Sequence, residues 1–427
     1  MKNFDPGKTQ VVGSDTRKIP AERLTASPNE RYHNRNVIGS GGMKIVLQTD
    51  DLNVGRSIAM AISKDASPEK QFRFLEEARI TASLEHPNIV PVHDIGRGRS
   101  GVPYFTMKLV RGLTLEQIID GLRKNDPGLQ KRFPLHARLE IFLKVCDAIA
   151  FAHSRGIIHL DLKPDNIQVG EYGEVLVLDW GIARRVGDVE PDIPASPKLS
   201  ASAGVTMDGV IRGTPDYMAP EQASGQNSRR GLWTDIYSLG AILYTLITLH
   251  TPYEGRSMEE ILQNVMTGGI TPLSLKDGRR VPAPLEFIVL RAMALSPERR
   301  YPSVQALRED IIAYQNGFAT VAENAGLSTL FLLWLKRNRI QIYVVFSIVL
   351  TIGIVLTFAA IHLYARALSE KVFGRSEQAR IAAERAFSGL ESRIRRENLR
   401  EWKLKFSDDF TEPDFTDRWK FRLNHRI

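Results

Sequence analysis

The chain has 427 residues, enough for two or three domains, and an apolar fraction of 43% that excludes a disordered or fibrous protein. Its formal net charge of +8 is spread along the sequence, with local excess only beside an apolar segment and in the C-terminal tail. That distribution argues against a nucleic-acid surface and assigns the basic balance to membrane flanks. The one cysteine, Cys146, excludes an intramolecular disulfide and a cysteine metal site, and its apolar-periodic setting reads as a core thiol in a reducing compartment.

In chain order, residues 1–31 are polar and without periodicity and read as a flexible leader, with no apolar run of the signal-peptide kind. From residue 32 to about 105, short β-type runs at 58–62 and 101–106 surround one charged helical stretch at 68–84, which predicts a small sheet-plus-helix lobe. Longer amphipathic helical patterns then dominate to about residue 317, for instance 135–154 and 234–248, interrupted by loops that carry polar motifs.

Residues 317–341 read as a juxtamembrane linker. Residues 342–364 contain no Asp, Glu, Lys or Arg, and at about 1.5 Å per residue they would cross a hydrocarbon layer of roughly 30 Å. Lys336, Arg337 and Arg339 precede this span while Arg366, Lys371 and Arg375 follow it, so charge alone leaves its orientation open. Residues 365–405 suit an exposed helix, and 406–427 resemble the opening strand of an extracytoplasmic β-sandwich that the chain is too short to close, which suggests truncation.

The chemistry is concentrated in residues 158–166 (IHLDLKPDN) and 178–181 (LDWG), separated by one short strand-like run. The first resembles the catalytic loop of protein kinases and the second their magnesium-binding motif, with Trp180 in place of the usual phenylalanine. Transfer of a phosphoryl group asks the protein to aim a hydroxyl at the γ-phosphate and to neutralise the charge on its oxygens. By this resemblance Asp161 would orient the hydroxyl and take its proton, Lys163 would contact the γ-phosphate, and Asn166 with Asp179 would hold Mg2+. Further matches cover residues 32–316, about two-thirds of the chain. In 213–221 (GTPDYMAPE), Thr214 would sit beside Asp161 and Lys163, and Glu221 would pair with Arg300 of PERRYP. Asp235 would fix the catalytic-loop backbone, Met107, Lys108 and Leu109 stand in the hinge that meets adenine, and Glu77 fits the acidic residue of the small lobe's helix. The implied architecture is α+β, a two-lobed kinase fold over residues 32–316 followed by one transmembrane helix.

Two departures qualify the resemblance. The strand expected to read Val-Ala-Ile-Lys reads Ile58-Ala59-Met60-Ala61, which removes the cation that should touch the α- and β-phosphates. Upstream, the glycine loop runs Gly39-Ser40-Gly41-Gly42-Met43-Lys44, with Lys44 where a third glycine belongs. The With-No-Lysine kinases show the same pair of changes, and a flexible lysine stem at the start of the second strand can reach the phosphates that lie under Gly39, Gly41 and Gly42. Lys44 is therefore read as the displaced catalytic lysine, against a solvent-facing strand lysine on an inactive domain. The second departure is Leu160, where many kinases carry an arginine that binds a phosphorylated activation loop. Ser196, Ser200, Ser202 and Thr206 in that loop are read either as autophosphorylation sites that are not the main switch or as loop solubility.

The leading expectation is an ATP- and Mg2+-dependent kinase of protein Ser and Thr, anchored in the plasma (inner) membrane by one helix. Its partners would be ATP, protein substrates and the lipid bilayer, with no nucleic acid and a homodimer allowed but not required. Because ATP is cytoplasmic, the kinase domain would face the cytoplasm and the tail the outside. The competing expectation is a pseudokinase, a membrane-bound scaffold that docks partners without catalysis.

Overall fold

A computed structural model describes residues 31–98, 100–188, 215–275, 278, 280–323 and 326–396. The leader at 1–30, Ser196, Ser200, Ser202, Thr206, Thr214, and the segment expected as a β-sandwich strand at 406–427 lie outside the described residues. The chain divides into two units, 1–337 and 338–427.

The first unit opens with a five-stranded antiparallel sheet of β1 (Tyr32–Ser40), β2 (Lys44–Asp51), β3 (Arg56–Ser63), β4 (Val92–Arg97) and β5 (Pro103–Met107), in the spatial order β1-β2-β3-β5-β4. Helix α1 (Pro68–Ser83) crosses between β3 and β4, starting on Pro68, whose fixed φ suits a first helical turn. Ala61 of β3 packs against Phe74 and Ala78 of α1 and Phe105 of β5, and Ile58 and Met60, on the other face of the strand, are buried as well. Phe74 and Phe105 meet there as a tilted aromatic pair, their ring centres 5.1 Å apart.

Beyond the connection at 108–111 the chain is helical. Short β6 (Gly112–Thr114) leads into α2 (Leu115–Arg123), which Thr114 and Gln117 close with a reciprocal capping box. α3 (Pro127–Arg132) and α4 (Leu135–Ser154) follow, then β7 (Ile157–Ile158), β8 (Ile167–Gly170), β9 (Val175–Val177) and β10 (Arg184–Arg185). β6, β8 and β9 form one small sheet and β7 pairs with β10, so the loop at 159–166 hangs between two sheet fragments. α5 (Pro220–Ala223), α6 (Leu232–Thr248), α7 (Met258–Thr267), α8 (Ala283–Ala292) and α9 (Val304–Gln315) complete the lobe. α6 is buried from Thr234 to Thr248 and packs with α4, α8 and α9 into one apolar core. Cys146 sits in that core, fully buried, and burial pushes its thiol pKa far up.

Residues 317–341, expected as a linker, contain α10 (Leu327–Arg337). The sequence LSTLFLLWLKR has no glycine or proline to break a helix and is rich in leucine, a strong helix former. In the second unit α11 runs unbroken from Arg339 to Arg396, so the apolar stretch and the charged stretch after it are one 58-residue helix. It is the one helix among the described residues long and apolar enough to cross a membrane, and Phe346, Val349, Leu356 and Phe358 on it are exposed.

Candidate functional site

The loop between β7 and β8 places the catalytic-loop residues. Asp235, buried near the start of α6, accepts from the backbone N–H groups of His159 at 2.8 Å and Leu160 at 2.9 Å, while His153 of α4 meets its Oδ2 at 2.8 Å. Burial alone would raise this carboxyl's pKa, and His153 together with His159, through its ring and its backbone amide, more than reverses that, holding it below the ordinary value. Gln222 of α5 donates its side-chain amide to the Leu160 carbonyl at 2.8 Å, and the His159 ring packs against buried Trp180 in a tilted arrangement, ring centres 4.5 Å apart. Leu160 takes φ 66° and is buried, so this backbone turn is held on both sides by groups from the helical lobe.

The turn delivers Asp161 to the surface of the cleft. Lys163 Nζ donates to both Asp161 carboxylate oxygens, at 3.0 and 2.8 Å, and Asn166 Nδ2 donates to the Asp161 carbonyl at 2.8 Å and to Oδ2 at 3.0 Å. Leu178 N–H donates to the Asn166 carbonyl at 2.8 Å, which ties the catalytic loop to the segment carrying Asp179. Asn166 and Asp179 contribute an amide oxygen and a carboxylate, the hard donors magnesium takes. Among the described residues no three His, Cys, Asp or Glu converge on a metal-binding cluster. A cation at this pair would complete its shell with water and phosphate oxygens, the usual habit of Mg2+.

Lys44 stands at the first position of β2, paired with Ser63, while Ala61 pairs with Val46 two residues further on. Pairs directly opposite across a sheet share a face, so Lys44 and Ala61 are diagonal neighbours on the side turned toward α1. Ala61 is fully buried in the cluster with Phe74, Ala78 and Phe105, and it leaves that side to the Lys44 stem. The Lys44 ammonium contacts the buried Glu77 carboxylate of α1 and lies 2.8 Å from Asp179 Oδ1. Burial disfavours its charge, but the carboxylates of Asp179 and Glu77 outweigh that and hold its pKa above the ordinary lysine value. Asp179 is correspondingly pulled below the usual carboxylate range, first by Lys44. Burial pushes Glu77 up while Lys44 draws it back.

Above these groups, Gly39, next to the last residue of β1, has room around it, since a Cβ there would meet only Val46 at ordinary contact distance. Gly41 and Gly42 form the turn, with Gly41 N–H donating to the Lys44 carbonyl at 2.7 Å. Lys64, just past β3, donates to Ser40 Oγ at 2.7 Å and to the Gly41 carbonyl at 2.8 Å, a grip on the loop that the sequence did not reveal. Met107 closes β5 opposite Ala59, Lys108 N–H donates to the Pro91 carbonyl at 3.2 Å, and Met107, Lys108 and Leu109 are half-buried at the junction of the lobes. His159, Gln222 and Lys64 were the functional neighbours missed from sequence. Of these, only His159 stood inside a recognised motif.

The protein kinase domain profile matches residues 32–312. Over 298 residues, 67% of this chain and 31% of the other, the sequence is 39% identical to the serine/threonine-protein kinase PknD of Chlamydia pneumoniae. The protein of the same name from Protochlamydia amoebophila is 39% identical over 291 residues, 66% of this chain and 29% of that one. The Chlamydia trachomatis serovar D protein is 34% identical over 302 residues, 67% of this chain and 32% of its own. The chain thus spans about a third of the length of the curated relatives it matches.

Proposed function

Because this chain belongs to the protein kinase domain family, we propose that it is a membrane-anchored serine/threonine kinase in which Lys44 has taken over the phosphate-contacting charge missing at Ala61. The observation that carries this reading is the Lys44 ammonium shared between Glu77 and Asp179, the two carboxylates that a third-strand lysine would otherwise meet. Its similarity to serine/threonine-protein kinases supports Ser and Thr as acceptors.

In this reaction a substrate hydroxyl oxygen forms a bond to the γ-phosphorus of ATP, the bond from that phosphorus to the bridging oxygen breaks, and ADP leaves. Asp161 orients the hydroxyl and accepts its proton. Lys163, already hydrogen-bonded to both Asp161 oxygens, is placed to balance the charge of the transferred group. Lys44 offsets the α- and β-phosphates, with Glu77 fixing its stem. Gly39, Gly41 and Gly42 let the backbone close over the phosphates, and Met107, Lys108 and Leu109 receive adenine. Asn166 and Asp179 would hold Mg2+, which would supply positive charge to offset the negative charge of the phosphates. Thr214 belongs to the same reading as a neighbour of Asp161. α11 supplies the membrane span, with the kinase domain on the cytoplasmic side and the far end of the helix outside.

Transfer of labelled γ-phosphate to a generic protein acceptor, measured on the full chain in detergent micelles, tests this. Lys44→Met is expected to lower the rate by about 100-fold or more, the usual cost of a lost charge-stabilising donor. Asp161→Asn serves as the catalytically dead reference. Wild-type transfer matched by Lys44→Met would refute the displaced lysine, and wild-type transfer no faster than that of Asp161→Asn would leave a scaffold.

A further inference from the structure

We propose that α10 lies flat in the headgroup layer of an anionic phospholipid bilayer and docks the end of the kinase domain onto the membrane surface. The proposal rests on reading α11 as a membrane span.

Leu330, Phe331 and Trp334 follow the i, i+1, i+4 pattern of one helical face, and they are 44%, 59% and 47% exposed. Phe331 and Trp334 stack at 6.2 Å, one turn apart. Leu332, 64% exposed, lies on the far side of the wheel, next to Lys336. Thr329 and Lys336 share that far side, which places these polar groups opposite the aromatic pair. At its C-terminal end Lys336 and Arg337 are followed within two residues by Arg339. Arg337 stacks on the ring of Phe318 at 4.1 Å, which joins the helix to the body of its own unit. Phe318 is itself 49% exposed, so the apolar surface continues past the helix.

An exposed apolar face of this kind needs an occupant, and the covalent chain names it. A single residue, Asn338, separates α10 from α11, and one residue reaches about 3.5 Å. Where α11 enters the hydrocarbon, Arg337 and Arg339 are held at headgroup depth, and the aromatic face of α10 lies within reach of the acyl boundary. Tryptophan beside lysine and arginine is the side-chain mixture that boundary selects, and the basic cluster is complementary to anionic lipid.

The test uses the full chain reconstituted into vesicles of phosphatidylcholine with or without phosphatidylglycerol. Phe331→Cys carries an environment-sensitive dye, with labelled Gly353→Cys on α11 and labelled Tyr172→Cys on a fully exposed turn as references. Cys146, buried at 0% exposure, stays unlabelled. The expected result is a blue-shifted emission at 331 that lipid-borne nitroxides quench, more strongly with phosphatidylglycerol, while 172 is unaffected. Quenching at 353 with none at 331 overturns the proposal and spares the span. Quenching at 331 with none at 353 keeps the surface contact and removes the span. A blue shift at 331 without lipid quenching, accompanied by energy transfer between labelled copies, assigns this face to a second copy of the chain and overturns the proposal.

Discussion

Arg300 and Glu221, 79 residues apart in the chain, form a two-pronged pair in which each guanidinium nitrogen lies 2.9 Å from its own carboxylate oxygen and both side chains are buried. Arg300 also donates to the carbonyls of Ala294, Leu295 and Trp233, and Thr234 Oγ1 donates to Glu221, so no charge in the pair goes unmet. Removing one member leaves the other desolvated. Arg300→Met is expected to cost about 3–5 kcal/mol, a fall in melting temperature of roughly 6–20 °C for a domain of this size. Glu221→Gln combined with Arg300→Met should cost less than the sum of the two, and calorimetry on the four proteins of that cycle checks it.

Ala61→Lys puts a long stem into the closed cluster of Phe74, Ala78 and Phe105 and a second ammonium beside the one already on Glu77. The expected loss is about 1–3 kcal/mol from overpacking, read in urea unfolding. In a Lys44→Met background the same substitution brings an ammonium back to the same carboxylates, and phosphate transfer should recover in part. Absence of any recovery would mean that only the second-strand position can deliver that charge.

Lys64 grips the glycine loop from outside through Ser40 Oγ and the Gly41 carbonyl. Both bonds are exposed and therefore worth little individually. Lys64→Ala should raise KM for ATP by up to about fivefold, equivalent to about 1 kcal/mol, with kcat unchanged. A fall in kcat as large as that of Lys44→Met would show that Lys64 is the phosphate-contacting lysine instead.

Asp235 has a folded pKa below its ordinary 3.8, so its contribution to stability is complete above that value and is lost as pH falls through the lower folded value. Asp235→Asn retains one acceptor and turns an amide N–H toward a backbone donor, at a cost of about 1.5–3 kcal/mol near pH 7. The difference between wild type and variant, followed by urea unfolding, should be flat at neutral pH and shrink below about pH 4. A difference that persists undiminished into stronger acid would rule out the charge of Asp235 as its source.

The parts of the site legible in the sequence are those where chemistry demands fixed residue types at short spacing. Asp161, Lys163, Asn166 and Asp179 lie within two contiguous motifs, and the structure gathers them through two hydrogen-bonded turns. Lys44 stands out in the sequence because a lysine absent from one strand has a counterpart in its neighbour, and the structure puts its ammonium against Glu77 and Asp179. The register of β2 against β3 explains why such an exchange is sterically possible. Lys64 was not legible, because a lysine after a strand has no pattern until the loop it holds is folded over it. Gln222 reaches Leu160 across 62 residues, which no local periodicity encodes. α10 reads as linker in the sequence because its eleven residues are too few for a span and the polar run Lys336-Arg337-Asn338-Arg339 parts it from the apolar stretch.

α11 spans 58 residues, about 87 Å at the rise of an α-helix, whereas crossing a hydrocarbon layer would take only roughly 30 Å of it. A rod that stiff and that long behaves as a lever. A push, tilt or twist applied at its distant tip would arrive at Arg339 as motion of the shaft, with little slack to absorb it.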